Sequence, residues 1–547
     1  MDGLLLLCFF LWTVVTTGQF AVAGAASSSK VVTSLPGLPG RLPFHLETGY
    51  VEVDEENGAE LFYYFVESEA GAEDAPFLLW LTGGDRCSVL SGLTLEIGPF
   101  QFVPEPYNGT VPRLRINPYS WTKVANILFV DTPVGAGFSF SRRPEGYDVG
   151  EVSTSLQLHE LLLKWFTGHP KFLTNPLYLG GDSLAGHLVP FIAQKISEGI
   201  EAGMSPILNL KGYLVGNPMT GEIIDESSKV SYAHGVGIIP DQLYETILEH
   251  CQGEDYRKPT NTPCAQALGT FNNLRSEVMT AQILLDDCYL VSPGPGTQTD
   301  KSASAIRKIL SEETVIVTGR RVKHPPPRVP IGCYSYTSYL SYFWANHALT
   351  RDALGIKDGT VDEWVRCHDG DLPCAVDIGS SIKYHRNVTV NGYRALVYSG
   401  DHDAIVPHLG TQAWVRSLGF PVVDDWRAWH LDGQSAGFTI TYSNNMTFAT
   451  VKGAGHTAPQ YEPERCYAMF SRWALFPVHF LMSLVTLSNS KRATKTSVSI
   501  DERGETIVIL QMRELHKPPL IEASVAQNTY YTGLLQRTPH IGVIHCK

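Results

Sequence analysis

The sequence predicts an α/β fold: a central mixed, mostly parallel sheet, helices on both faces, and an inserted helical cap. Two observations carry this. The apolar runs "APFLLWLTGG" and "ANILFVDTPVGAGFSFS" are continuous rather than alternating, as in strands buried on both faces of a parallel sheet. Such runs alternate with helical periodicity, as in "LQLHELLLKWFTGHP", and several end in polar, Gly-rich turns. Polar turns gathered at strand ends put a site along one edge of the sheet.

The elements follow in chain order. Leu4 to Val15 is an apolar run followed by the small-residue sites Ala21-Val22-Ala23 and Gly24-Ala25-Ala26, so residues 1–26 read as a secretory signal peptide. That run is short for a membrane span of about 20 residues, and no stable membrane anchor is expected. After a Ser/Gly/Pro-rich lead-in, "GYVEVDEENGAELFYYFVES" reads as two strands joined at Asn57-Gly58. The two apolar strands, the helix and "NPLYLGGDSLAGHLVPFIAQKISEGI" come next; the last reads as strand, tight turn, helix. "LNLKGYLVGNP" is again a strand. Residues 220–335 change character and read as an inserted cap, then an exposed, protease-sensitive linker rich in Pro, Gly and Ser. "YRALVYSGDHDAIVP" and "MTFATVKGAGHTAPQ" are later strands ending in polar turns. The main domain spans 27–473, and 474–547 is expected to be a poorly ordered tail whose apolar stretch Ala474–Leu487 is too short to span a bilayer unaided.

Composition excludes some functions. With 42 Lys plus Arg against 55 Asp plus Glu, the net charge is −13, which argues against nucleic-acid binding. No C-x-x-C or H-E-x-x-H spacing supports a metal site, and no cofactor is implied. Secretion fits the three Asn-x-Ser/Thr sites at Asn108, Asn387 and Asn445 and a chain with ten Cys.

Two serines compete for the role of nucleophile. Gly433-Gln434-Ser435-Ala436-Gly437 has the strict G-x-S-x-G form, but it lies between two strand-like runs, where Asp432-Gly433 reads as a hairpin turn. Ser183, in Gly181-Asp182-Ser183-Leu184-Ala185-Gly186, follows a strand and precedes a helix, the context a nucleophile elbow needs. Asp403 and His456 follow it in the order Ser, acid, His, each in a Gly-rich turn after a strand. In such a triad Ser183 attacks a carbonyl, His456 takes its proton, and Asp403 fixes the imidazole tautomer. The resulting acyl-enzyme awaits water or another nucleophile. Leu184 N–H supplies one oxyanion donor, and "LTGGDR" is the best source of the second.

Together "WLTGGDRCS", "EIGPF", "NPYSWTKVANILFVDTPVGAGFSF", "GGDSLAGHLVP", "GDHDAIVPHLGTQAW" and "KGAGHTAPQYEPERC" resemble the serine carboxypeptidase-like proteins of plants, from about residue 35 to Trp473. The resemblance implies the α/β-hydrolase fold, the triad Ser183, Asp403 and His456, and Gly84 with Leu184 as oxyanion donors. It implies a substrate site including Thr82, Gly83, Asp182 and Glu96, and disulfides pairing Cys87 with Cys333 and Cys251 with Cys264. For Cys367 and Cys374, pairing with each other or with Cys288 stays open. Members enter the secretory pathway, and many reach the vacuole.

The family resembled here contains two chemistries. Peptidases release C-terminal residues from peptides; acyltransferases move an acyl group from a 1-O-glucose ester to an acceptor alcohol or amine. The peptidases usually carry Asn where Thr82 stands and Glu where Asp182 stands, which favours the acyltransferase over the peptidase here. Asp85-Arg86 replaces the family's Pro-Gly. Arg86 faces solvent or contacts an acidic substrate group, or it misplaces the loop and leaves a catalytically impaired binding protein.

Overall fold

The computed structural model describes residues 29–286, 329–368 and 372–475, together with the backbone of strand segments at 316–317, 320–321, 493–500, 506–512 and 541–545. The expected signal segment, Cys288, most of the linker and most of the tail lie outside the described residues. The segments at 493–500, 506–512 and 541–545 pair as a separate antiparallel sheet.

The main sheet has twelve strands. In chain order its principal members are β1 (Ser29–Val32), β2 (Leu46–Asp54), β3 (Ala59–Val66), β4 (Phe77–Leu81), β5 (Asn126–Val130), β6 (Leu177–Asp182), β7 (Leu210–Gly216), β8 (Arg394–Gly400), β9 (Val422–Leu431), β10 (Gln434–Tyr442) and β11 (Met446–Val451). They lie in the order β1-β2-β3-β5-β4-β6-β7-β8-β11-β10-β9, with Phe140–Ser141 beside β3. From β5 to β11 the pairing is parallel, and antiparallel strands flank this block on both sides.

Residues alternate between two cores. Leu78 and Trp80 of β4 join one cluster, with Phe62, Ile127 and Phe129. Phe77, Leu79 and Leu81 join the other, with Leu61, Leu128 and Leu179. Successive side chains of a strand point to opposite faces, so a strand covered on both sides must be apolar throughout. Helices α1 (Glu151–Gly168) and α2 (Ala185–Glu201) cover the second face through Leu158, Leu161, Trp165, Val189, Ile192 and Ile196. The helices Tyr336–Asn346 and Pro463–Leu475 cover the first, where Trp121 stacks on Phe470 at 4.1 Å.

The turn between β2 and β3 contains Asn57 and Gly58, and Gly58 has a φ of +61°. Asp432 and Gly433 join β9 to β10 with φ values of +49° and +75°. Two central residues of positive φ are what a two-residue type I′ hairpin turn requires, so Ser435 lies in a strand. Residues 224–275 carry three helices, Ile224–Gly235, Asp241–His250 and Thr262–Arg275, which share a small core of Val230, Ile247, Leu268 and Phe271. The Cys251–Cys264 disulfide joins the last two.

The parallel register decides where chemistry can sit. Gly181 pairs with Leu81, Asp182 with Gly216, Gly216 with Tyr398, and Gly400 with Val451. The C-terminal ends of β4, β6, β7, β8 and β11 therefore open onto one edge.

Candidate active site

Three turns at that edge carry the predicted triad. β6 runs directly into α2 through Ser183 and Leu184. The change of direction forces Ser183 to a φ of +53°, a region costly for a residue with a Cβ. Backbone bonds on both sides hold the turn: Ser183 N–H donates to Gly216 O at 2.9 Å, and Met219 N–H donates to Ser183 O at 3.1 Å. The serine hydroxyl lies 2.8 Å from His456 Nε2. His456 Nδ1 lies 2.8 Å from Asp403 Oδ2. Asp403 is fully buried, and it also accepts from Asn217 Nδ2 at 2.7 Å and Ile405 N–H at 2.7 Å. Burial works against a charged His456, but the Asp403 carboxylate outweighs it and its pKa lies above the ordinary value of 6.5.

The glycine pair after β4 lies against this serine. A Cβ on Gly83 would stand 2.6 Å from Ser183 Cβ and 2.7 Å from Asp182 O, so only glycine fits. Gly84 has a φ of +88°, and a Cβ there would stand 2.4 Å from Cys87 Sγ. Among the described residues, neither Gly84 N–H nor Leu184 N–H donates to another protein group. Beside them, Asp182 Oδ1 accepts Gly83 N–H at 2.8 Å, Trp80 Nε1 donates to Glu96 at 2.8 Å, and Thr82 Oγ1 lies 3.5 Å from Glu96. Thr82, Gly83, Asp182 and Glu96 thus form one corner. Burial pushes both carboxyls upward in pKa, Glu96 well above the usual range, and the nearby Asp182 adds to that effect on Glu96.

Arg86 departs from both of its expected placements. It is 1% exposed, at a φ of +47°. Its guanidinium donates to the backbone carbonyls of Val134, Tyr147 and Pro373. The side chain is therefore an internal tie from the glycine loop to two distant segments. Asp131 braces the next residues, accepting from Ser88 Oγ at 2.7 Å, Val89 N–H at 2.7 Å and Phe138 N–H at 2.9 Å.

One expected disulfide is corrected. Cys87 pairs with Cys367, not Cys333. The reason lies in the neighbouring backbone: Ser88 N–H donates to Arg366 O at 2.7 Å and Trp364 Nε1 to Ser88 Oγ at 3.2 Å, which lays residues 364–367 beside Cys87. Cys333 is engaged in a different disulfide, and Cys374 is an exposed free thiol, so Cys367 and Cys374 do not pair.

Sequence reasoning did not single out Asn217, which orients Asp403, although "LVGNP" marks it as a polar strand end. Nor did it find the stacked pair Tyr334 and Tyr461, 4.5 Å apart; desolvation, with Tyr461 and then Glu96 adding to it, pushes the Tyr334 pKa well above its usual value. The three Asn-x-Thr asparagines, Asn108, Asn387 and Asn445, are all exposed. Among the described residues, no helix is long and apolar enough to cross a membrane.

A parallel sheet, a serine at a strand-to-helix elbow and a later acid and histidine define an α/β-hydrolase. The fold matches that of Kex1(delta)p, a prohormone-processing carboxypeptidase from Saccharomyces cerevisiae, with a TM-score of 0.59 at 19% identity over 87% of this chain and 97% of that one. The chain belongs to the serine carboxypeptidase family, whose pattern matches residues 36–475. It is 42% identical over 478 residues to Serine carboxypeptidase-like 19 of Arabidopsis thaliana, covering 86% of this chain and 99% of that protein. It is 43% identical over 450 residues to Serine carboxypeptidase-like 11 of the same plant, covering 82% and 94%.

Proposed function

We propose that this serine carboxypeptidase-like protein is an acyltransferase of the secretory pathway, secreted or vacuolar. It moves an acyl group from a 1-O-glucose ester to an acceptor alcohol or amine. Ser183 attacks the ester carbonyl and His456 accepts its proton. Asp403 stabilises the imidazolium, while Gly84 and Leu184 N–H groups receive the oxyanion. The glucose leaves with the proton from His456. The acceptor then gives its proton to His456 and attacks the acyl-serine; the bond from the acyl carbon to Ser183 Oγ breaks, Ser183 takes the proton back from His456, and the acylated acceptor departs. Asn108, Asn387 and Asn445 are the proposed glycan sites, on exposed turns and helix surface.

The observation that carries the choice of chemistry is the Thr82–Asp182 corner. Asp182 is 2% exposed and turned to Gly83 N–H, and Thr82 lacks an amide donor. A peptidase of this family holds a terminal carboxylate with an Asn amide, which Thr82 lacks, and a Glu carboxyl, which Asp182 carries one methylene shorter. One observation favours the alternative, a carboxypeptidase acting on peptide C-termini: Glu96, with its raised pKa, is present and can donate a proton to a carboxylate.

The test is to incubate the purified protein with a hydroxycinnamoyl or benzoyl glucose ester and a panel of acceptors, beside blocked dipeptides. Acyl transfer without amino-acid release is the expected result. Amino-acid release without transfer overturns the reading. Thr82→Asn with Asp182→Glu should raise peptidase activity and lower transfer.

A further inference from the structure

The acid turn and the histidine turn are not held only by each other. A third piece of chain, residues 279–285, lies between them. Thr280 O accepts Ala404 N–H at 2.9 Å, next to Asp403. Ala281 O accepts the backbone N–H of His456 itself at 2.7 Å. Ile283 N–H donates to His402 O at 3.2 Å. One short segment thus bonds to backbone on both sides of the acid and to the histidine.

A single side chain locks that segment. Gln282 is 4% exposed, and its Nε2 donates to Gly453 O at 2.8 Å, in the turn that leads to His456. Its Oε1 accepts Leu284 N–H at 3.3 Å, which fixes the segment's own turn. Space is tight: a Cβ on Gly455 would stand 2.2 Å from Ala281 O and 2.9 Å from Gln282 Cβ. Ionisable side chains in this corner include Asp401, which accepts Gly453 N–H at 2.7 Å, its partner His402, the Glu462–Arg465 pair, Arg275, which donates to Ala404 O at 3.1 Å, Tyr232, which donates to Asp401 O at 2.9 Å, and Tyr461 beside Gly455.

We infer that Gln282 is a positioning residue for His456, acting through Gly453 and the Ala281 carbonyl. The inference rests on the reading of Ser183, His456 and Asp403 as the catalytic triad. Its physical content is geometric. Hydrogen bonding of Ser183 to His456 leaves little tolerance, and a displacement of about 1 Å in such a constellation costs on the order of 10²-fold in rate. Gln282 limits that displacement from outside the triad.

The test uses the full-length secreted protein and a fluorophosphonate probe, with kinetics normalised to the number of labelled sites. Gln282→Met keeps the volume and loses both hydrogen bonds. Gln282→Glu keeps the acceptor toward Leu284 and loses the donor toward Gly453. The expected result for both is a labelling rate constant per site lowered about tenfold, with the probe's binding constant within about twofold of wild type. Unfolded enzyme does not contribute to a per-site rate, so lost folding cannot mimic this. Variants that label at the wild-type rate per site, with only the melting temperature lowered, make Gln282 a structural residue and overturn the inference while leaving the triad intact. If the wild type is labelled no better than Ser183→Ala, the triad reading fails, and the role of Gln282 fails with it.

Discussion

Two turns at the sheet edge use the same costly backbone device. Ser183 and Arg86 both sit at positive φ, +53° and +47°. At Ser183 the fold itself imposes the conformation, through a strand that becomes a helix and backbone bonds to Gly216 and Met219. At Arg86 the side chain imposes it, by reaching three carbonyls on other segments. The first turn should survive loss of its side chain. The second should not.

The largest contrast comes from substituting each residue. Ser183→Ala should abolish probe labelling and lower acyl transfer by on the order of 10⁶, with a melting temperature close to wild type. Arg86→Ala should lower transfer about 10²–10³-fold by displacing the Gly84 donor, and destabilise the protein by about 1–3 kcal/mol, chiefly by leaving the buried Val134 carbonyl unsatisfied. Arg86→Gly separates the terms, because it relieves the positive φ and still removes the donors. If Arg86→Gly matches wild type in rate and stability, the side chain is not what holds the loop.

A smaller effect should appear at Asp131, which braces the Arg86 side of the comparison. Burial lifts its pKa from 3.8 to about 7 despite three hydrogen bonds that lower it. Between those values the folded protein retains a proton that the unfolded chain releases. Stability therefore falls as pH rises from about 4 to about 7, by on the order of 4 kcal/mol. Asp131→Asn should flatten this slope, read as denaturation midpoints across that range. A slope identical to wild type would assign the pH dependence to other groups.

The smallest effect is expected at Ser435. Ser435→Ala should leave transfer and labelling within about twofold of wild type, since the residue lies in a hairpin strand. A large loss there would break the assignment of the elbow to Ser183.

What could be read in advance follows the same division. The doubly buried strands, the Asn57-Gly58 turn and the strand-turn-helix around Ser183 are local patterns, and local patterns are written in consecutive residues. The order Ser183, Asp403, His456 was also legible, because each residue follows its own strand. The partners of Arg86 were not. They are backbone carbonyls 48, 61 and 287 positions away, and a carbonyl has no sequence identity. The pairing of Cys87 failed for a related reason: backbone pairing of Ser88 with Arg366 decides which thiol it meets. Gln282 lies in the region read as cap and linker, and only the folded chain brings it to Gly453.

The Cys87–Cys367 bond has a consequence for anyone handling the protein. It closes a loop of 280 positions, so a single cut anywhere inside that loop leaves two fragments joined by sulfur. On a gel without reductant, protein cut once there stays in one band. Adding a thiol resolves it into two, and in the folded protein the same treatment leaves the Ser88 hydrogen bonds with Arg366 and Trp364 to hold the glycine loop against residues 364–367.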